Sequence, residues 1–260
     1  MENHKILQSR SFGDLTIHAT EYFVGGLTDV HSHENARIVL VLRGQFQEHF
    51  GQKTRECSAS SLIFRPAGET HRERFLSKRS LCISLDIGLL WMARIRQDLA
   101  LQNPLYFQSP HLIPIYASLI RELQTPDSFS EPVVESLLTE VFGLSARNQF
   151  LSEGPYPKWL KRVRELLIST PSHLKIRELA IEAGVHPVYL ARVFRRYHGC
   201  TVGEYVRSIR VQKAQQDLID SNEPIAEIAI KDGFADQSHF TRSFKSVTGM
   251  TPARYRSQRF

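Results

Sequence analysis

One pattern occurs twice in the C-terminal part of this chain, and any fold for it has to accommodate both copies. Ile176-Arg-Glu-Leu-Ala-Ile-Glu-Ala-Gly184 and Ile225-Ala-Glu-Ile-Ala-Ile-Lys-Asp-Gly233 share Ile, Glu, Ala, Ile and Gly at an offset of 49. Past each glycine the second copy is one residue longer. Leu190, Arg192, Phe194, Gly199, Thr201 and Tyr205 therefore correspond to Phe240, Arg242, Phe244, Gly249, Thr251 and Tyr255 at an offset of 50. Self-similarity of this length marks an internal repeat of one supersecondary unit.

Each copy reads as two short helices joined by a tight turn. Leu179 and Ala180, like Ile228 and Ala229, are apolar residues, one of each pair small, that let a first helix pack closely on a second. The glycine then ends the first helix in the left-handed conformation that other residues adopt only at a cost. Pro187 suits the first turn of the next helix, and Asp236 can cap its counterpart. Leu190, Val193, Phe194 and Tyr197 form one apolar stripe, as do Phe240, Phe244 and Val247. The opposite face carries Val188, Ala191, Arg192, Arg195 and Arg196 in copy one, and Gln237, Ser238, Thr241, Arg242 and Lys245 in copy two. Small residues and guanidinium groups on an open helix face suit a DNA major groove.

At these residues the chain resembles the AraC/XylS family of bacterial transcription regulators. The resemblance covers about Pro157 to Arg256 and is most specific over residues 225–245, Gly249 and Thr251-Pro-Ala-Arg-Tyr-Arg256. It implies seven helices, with two recognition helices entering successive major-groove segments and a linker helix from Val202 to about Ser221. Such a helix spans roughly 30 Å, close to one turn of DNA. The family's base-reading positions fall on Val188, Ala191 and Arg192, and on Gln237, Ser238 and Arg242. Arg192 and Arg242 can pair bidentately with guanine, and Gln237 with adenine. Arg195, Arg196, Lys245, Arg254 and Arg256 suit phosphates. His186 departs from the family pattern, which has a small capping residue there.

Charge follows the same division. Of 33 Lys/Arg and 27 Asp/Glu in the 260 residues, residues 157–260 hold 18 and 10, a net of +8, leaving 15 and 17 for residues 1–156. The basic surplus therefore sits with the repeat, as a phosphate-contacting half requires. Cys57, Cys82 and Cys200 have no metal-ligand spacing and do not suggest a disulfide framework. With no signal-peptide pattern and no run of about 18 apolar residues, a cytoplasmic protein without a membrane partner is expected. Recognisable phosphate loops, hydrolase triads and paired carboxylates do not occur, so no enzyme activity and no cofactor are expected.

The first half alternates short strands and turns: Leu15 to Val24, Ile38-Val-Leu-Val-Leu42, Gln45 to Phe50, Ser61 to Phe64 and Leu81 to Leu85. This reads as an antiparallel barrel or sandwich. Gly25, then His31-Ser-His33 and Gly44, followed by Pro66-Ala-Gly68-Glu-Thr-His71, resemble the two motifs of the cupin superfamily over about residues 12–87. The resemblance implies a β-barrel in which the equivalents of His31, His33 and His71, with a glutamate, would hold a divalent metal. The glutamate position here is Arg37, which cannot ligate a metal.

Three readings of this set stay open. The residues are polar groups bonded at a barrel mouth, or an effector pocket in which Arg37 pairs with a carboxylate, or a three-histidine metal site. No metal is assigned, and His31, His33, Arg37 and His71 are carried forward as an effector pocket. Beyond the strands, helical spacing sets in at Asp86 to Arg96, at roughly Ile113 to Gln124, and from Ser130 to about Phe150. The stripe Val134, Leu137, Leu138, Val141 and Leu144 is either core or a dimer contact.

The expected fold class is α+β with two domains: a cupin-like effector and dimerisation domain over 1–150, a linker over 151–157, and a DNA-binding domain over 158–260. The expected function is sequence-specific, DNA-binding transcription regulation. The expected partners are a double-stranded operator, a second copy of the chain and a small-molecule effector, with RNA polymerase also admitted. The alternative is a metal-dependent cupin enzyme or metal sensor carrying a DNA-binding domain.

Overall fold

A computed structural model describes residues 4–25, 27–96, 104–109, 111–151, 157–169 and 175–257. The chain divides into two compact units: residues 1–108 with 115–145, and residues 109–114 with 146–260.

Unit one holds nine strands in two antiparallel sheets. The larger has the order β1 (His4–Phe12), β2 (Leu15–Phe23), β8 (Arg79–Ile87), β3 (Ala36–Arg43), β6 (Ser61–Arg65), β9 (Leu105–Gln108). The smaller is β5 (Lys53–Ser58), β4 (Gln45–Phe50), β7 (His71–Phe75). The strands do not close into one barrel ladder. The chain instead leaves the larger sheet at Arg43 and enters the smaller at Gln45, through Gly44 alone. Gly44 has φ +87°, and a Cβ there would come 2.7 Å from the Ser80 Cα, so only glycine fits this crossing.

The sheets pack through Val39, Val41, Ile63 and Cys82 on one side and Phe46, Cys57 and Phe75 on the other. The intervening residues Ile38, Leu40, Leu62, Phe64, Ile83 and Leu85 are equally buried. Both faces of the larger sheet are thus covered, which explains why residues 38–42 are continuously apolar rather than alternating. Helix α1 (Leu89–Arg96) lies between β8 and β9, and α2 (Leu112–Gln124) and α3 (Ser130–Leu151) follow β9. Phe142 of α3 stacks edge-on to Phe64, with centroids 5.8 Å apart, and lies 5.5 Å from Trp91 of α1. Val134, Leu138 and Val141 are fully buried, so that part of the α3 stripe is core, not a free dimer surface.

Unit two holds seven helices among its described residues: α4 (Lys158–Ser169), α5 (Ile176–Glu182), α6 (Pro187–His198), α7 (Val202–Asp220), α8 (Ile225–Lys231), α9 (Gln237–Thr248) and α10 (Pro252–Ser257). They build two separate cores. Leu160, Val163, Leu167, Leu179, Ala180, Leu190, Phe194 and Tyr205 form the first. Val211, Ala214, Leu218, Ile228, Ala229, Phe240 and Phe244 form the second. Helix α7 gives its first half to one core and its second half to the other. Gly184 and Gly233 adopt φ +64° and +82°, the left-handed turn that ends α5 and α8. Most of the expected linker, residues 152–156, lies outside the described residues.

Candidate nucleic-acid interface and histidine pocket

Helices α6 and α9 follow their turns in the same way. Each begins with a capped residue and buries one stripe, Leu190 and Phe194 in α6 and Phe240 and Phe244 in α9. The stripe fixes which residues face outward. Val188, Arg192, Arg195 and Arg196 are exposed on α6, as are Gln237, Ser238, Arg242 and Lys245 on α9, with Ala191 and Thr241 half-buried between them. Val188 is 70% exposed, an unusual position for a branched apolar side chain and one suited to a thymine methyl group.

Asp236 caps α9, its Oδ1 accepting from the His239 amide at 2.7 Å. His186, the departure from the family pattern, also caps: its Nδ1 accepts from the Val188 amide at 3.3 Å. An imidazole thus replaces the usual small residue through a longer hydrogen bond. Arg192 lies over the Tyr189 ring, 5.5 Å from its centroid, a cation–π contact that limits the rotamers of a side chain expected to read bases. Tyr189 was not singled out by sequence, although its place one turn before Arg192 is the signal. Arg256 does not stand free for a phosphate. It donates to the Glu223 carbonyl at 2.6 Å and ties α10 to the turn before α8.

In unit one the two histidine motifs are clipped together by backbone. The His31 amide donates to the His71 carbonyl at 3.0 Å and the reverse bond is 2.9 Å, while the Gly68 amide donates to His33 O at 2.9 Å. The rings of His31 and His71 stand 4.4 Å apart, and His33 stands 5.2 Å from each. One ligand nitrogen from each ring lies within 4.8 Å of the others. His31, His33 and Arg37 line a cavity of about 540 Å³, with Tyr22, Arg65 and Glu73. His71 is buried beside it.

Hydrogen bonds orient two of the rings. His31 Nδ1 meets the Asp29 carbonyl at 2.9 Å and His71 Nδ1 meets Glu69 O at 3.1 Å. A carbonyl only accepts, so each Nδ1 carries a proton and each Nε2 turns inward. Burial, then Arg37, pushes the His33 imidazole down to about 3, so this ring is neutral.

The carboxylate that the motif lacks comes from elsewhere. Glu73 Oε1 lies 3.4 Å from His71 Nε2, and Oε2 lies 3.9 Å from His31 Nε2. Burial alone would raise the Glu73 carboxyl, but Arg65, donating at 2.8 Å, and the histidines hold it at about 2. Arg65 is fully buried and also bonds Glu48 at 2.6 Å. The ionised Glu73 carboxylate is thus balanced by Arg65 and also faces the Nε2 atoms of His31 and His71. Sequence reasoning missed Glu73. Its signal was the alternation of His71-Arg-Glu73-Arg-Phe75, in which His71, Glu73 and Phe75 share the inner face.

Arg37 contradicts its expected role as the anchor for an effector carboxylate. Its guanidinium is already held in two places by Asp86, with Nη2 at 2.8 Å from Oδ2. That pairing offsets only part of the Arg37 charge, which still lowers His33 beside it.

Two capped recognition helices on separate cores, each turning a cationic or polar face outward, define a DNA-binding helix-turn-helix protein. Comparisons narrow the class. The family model described as a helix-turn-helix domain matches residues 179–258. A probable transcription factor, PqrA of Proteus vulgaris, is 37% identical over 99 residues, 38% of this chain and 78% of that protein. The bifunctional transcriptional activator/DNA repair enzyme AdaA of Bacillus subtilis is 30% identical over 171 residues, 64% and 81% of the two chains. The HTH-type transcriptional activator RhaR of Escherichia coli is 24% identical over 244 residues, 87% and 86%. The chain belongs to the AraC/XylS family, and it is a DNA-binding transcription regulator. No helix among the described residues is long and apolar enough to cross a membrane.

Proposed function

We propose that Val188, Ala191 and Arg192 of α6 and Gln237, Ser238, Thr241 and Arg242 of α9 read bases in two major-groove segments. Arg195, Arg196 and Lys245 hold the flanking phosphates. The outward placement of Arg192 and Arg242, on helices that bury Leu190 and Phe194, and Phe240 and Phe244, on the opposite side, carries this reading. Its test starts from duplexes selected out of a randomised pool by the full-length protein. Arg192→Ala and Arg242→Ala should each weaken binding by about 1–3 kcal/mol and relax preference at one position. Parental binding of selected and shuffled duplexes by both variants would overturn the assignment.

Unit one, in this reading, is the sensing and dimerising domain of a cytoplasmic regulator that also meets RNA polymerase. A ligand in the 540 Å³ cavity shifts the population of DNA-competent conformers, a coupling of about 1–3 kcal/mol. Phe129 and the paired Leu89 and Leu90, each at least 70% exposed, supply apolar surface for a second copy. Sedimentation as a monomer at micromolar concentration, with and without DNA, would remove the dimer.

The convergence of His31, His33 and His71 beside Glu73 favours a second reading, in which the effector is a divalent cation. Three imidazoles can hold such an ion with a position open for another ligand, and the Nδ1 bonds to Asp29 and Glu69 are the outer contacts that orient metal-binding histidines. Elemental analysis of chelator-free protein separates the readings. About one metal per chain, absent from His33→Ala and altering DNA affinity, supports the cation. Bound metal with turnover would make the domain an enzyme, and no metal leaves an organic effector.

A further inference from the structure

Helix α7 does more than join the two cores. Tyr205, Ser208 and Val211 are buried on one of its sides. Gly203, Val206, Arg207 and Arg210 recur at the three- and four-residue spacing that gathers side chains on the other. That second face floors a cleft of about 750 Å³ in unit two. One wall is Ala191, Arg192 and Arg195 of α6, and the other is Phe234 of the turn before α9 and His239 in its first turn. The cleft therefore runs from the α6 face assigned above to base reading to the start of α9. Arg207 is exposed within it, whereas Arg210 is braced by donating to the Gly233 carbonyl at 2.8 Å. A Cβ on Gly203 would meet nothing within 4 Å. Val202 and Val206 give the floor its apolar surface.

DNA engaged by α6 and α9 in successive major-groove segments must carry the intervening sugar–phosphate strands across this cleft. We propose that the exposed face of α7 is a third DNA contact, in which Arg207 binds a backbone phosphate and Val202 and Val206 pack against the adjoining deoxyribose. An α-helix that contacts only backbone adds affinity and register without sequence information. Arg207 thus differs in kind from Arg192, although both line the same cleft. The absence of side-chain bulk at Gly203 lets the strand approach the start of the helix. The inference rests on the recognition-face assignment.

The experiment measures binding of full-length protein to the selected duplex and to a shuffled duplex across a salt series. Arg207→Ala should weaken both about equally, by about 5-fold near physiological salt, and lower the magnitude of the log–log salt slope by about 1. The selected sequence should not change. Gly203→Glu, which sets a carboxylate on the open floor, should weaken both duplexes further, with a melting temperature near the parent's as the check on folding. Parental affinity for Arg207→Ala, or weakened binding with an unchanged salt slope, would overturn the inference. Arg192→Ala and Arg242→Ala run in parallel keep the two readings apart. If they weaken binding and Arg207→Ala does not, only the α7 contact fails. If none of the three does, the recognition faces fail as well.

Discussion

The two helix-turn-helix units use the same interior to present different exteriors. Leu179, Ala180 and Phe194 in the first occupy the places of Ile228, Ala229 and Phe244 in the second, and all six are essentially inaccessible. Outward, three guanidinium groups on α6 face one guanidinium, one ammonium and three uncharged polar groups on α9. The turns differ too. Ala183 closes α5, whereas its counterpart Asp232 closes α8 as a buried carboxylate. The repeat therefore preserves what packing demands and leaves free what solvent or a ligand sees. Close-packed cores punish a change of even one methylene, while exposed positions cost little to vary.

The largest test of this comparison is whether the two cores are energetically separate. Phe194→Ala and Phe244→Ala should each cost about 3–5 kcal/mol, and hydrogen exchange should show each loss confined mainly to its own unit. Uniform loss of protection from either variant would make unit two a single cooperative core. Next comes the exterior. Gln237→Ala should cost about 1–3 kcal/mol on the selected duplex and relax an adenine position, whereas Arg192→Ala relaxes a guanine position. Identical changes in preference would show that the two faces do not divide the site.

Asp232 sharpens the comparison at the turns. Burial, then Asp217, pushes its carboxyl up to about 6 against the pull of Lys213 at 3.6 Å. The fold thus disfavours the ionised form. Stability from the protonated form is present below about pH 4 and is lost as pH rises through about 6. Asp232→Asn should therefore be more stable than the parent at pH 8, by about 1–2 kcal/mol, with the difference vanishing toward pH 4. Melting curves at both values check this, and a difference that grows toward acid would refute it. The smallest effect is at the caps. His186→Asp should stabilise α6 by a few tenths of a kcal/mol to about 1, because a carboxylate caps more strongly and suits the positive helix start.

Sequence reading succeeded wherever a signal is local. The helical stripes, the glycines at 184 and 233 and the cap at Asp236 each act within a few residues, and all appear as expected. Among the strands, β2, β3, β4, β6 and β8 were legible, whereas β1, β5 and β9, rich in polar residues or very short, carry no strong apolar alternation. The histidines were found because their motif spacing is fixed along the chain. The partners of those histidines were not.

The sequence by itself determined the doubled helix-turn-helix, the faces that α6 and α9 bury and expose, and the basic surplus that accompanies them, because helix periodicity and turn chemistry are written in neighbouring residues. The tertiary structure alone decided that Asp86, 49 positions away, occupies the Arg37 fork, that Glu73 supplies the carboxylate beside His31 and His71, and that α7 floors a cleft between the recognition helices. Those juxtapositions depend on which strands neighbour one another and on where two small cores hold one shared helix. Packing sets both across the whole chain, and no local pattern encodes them.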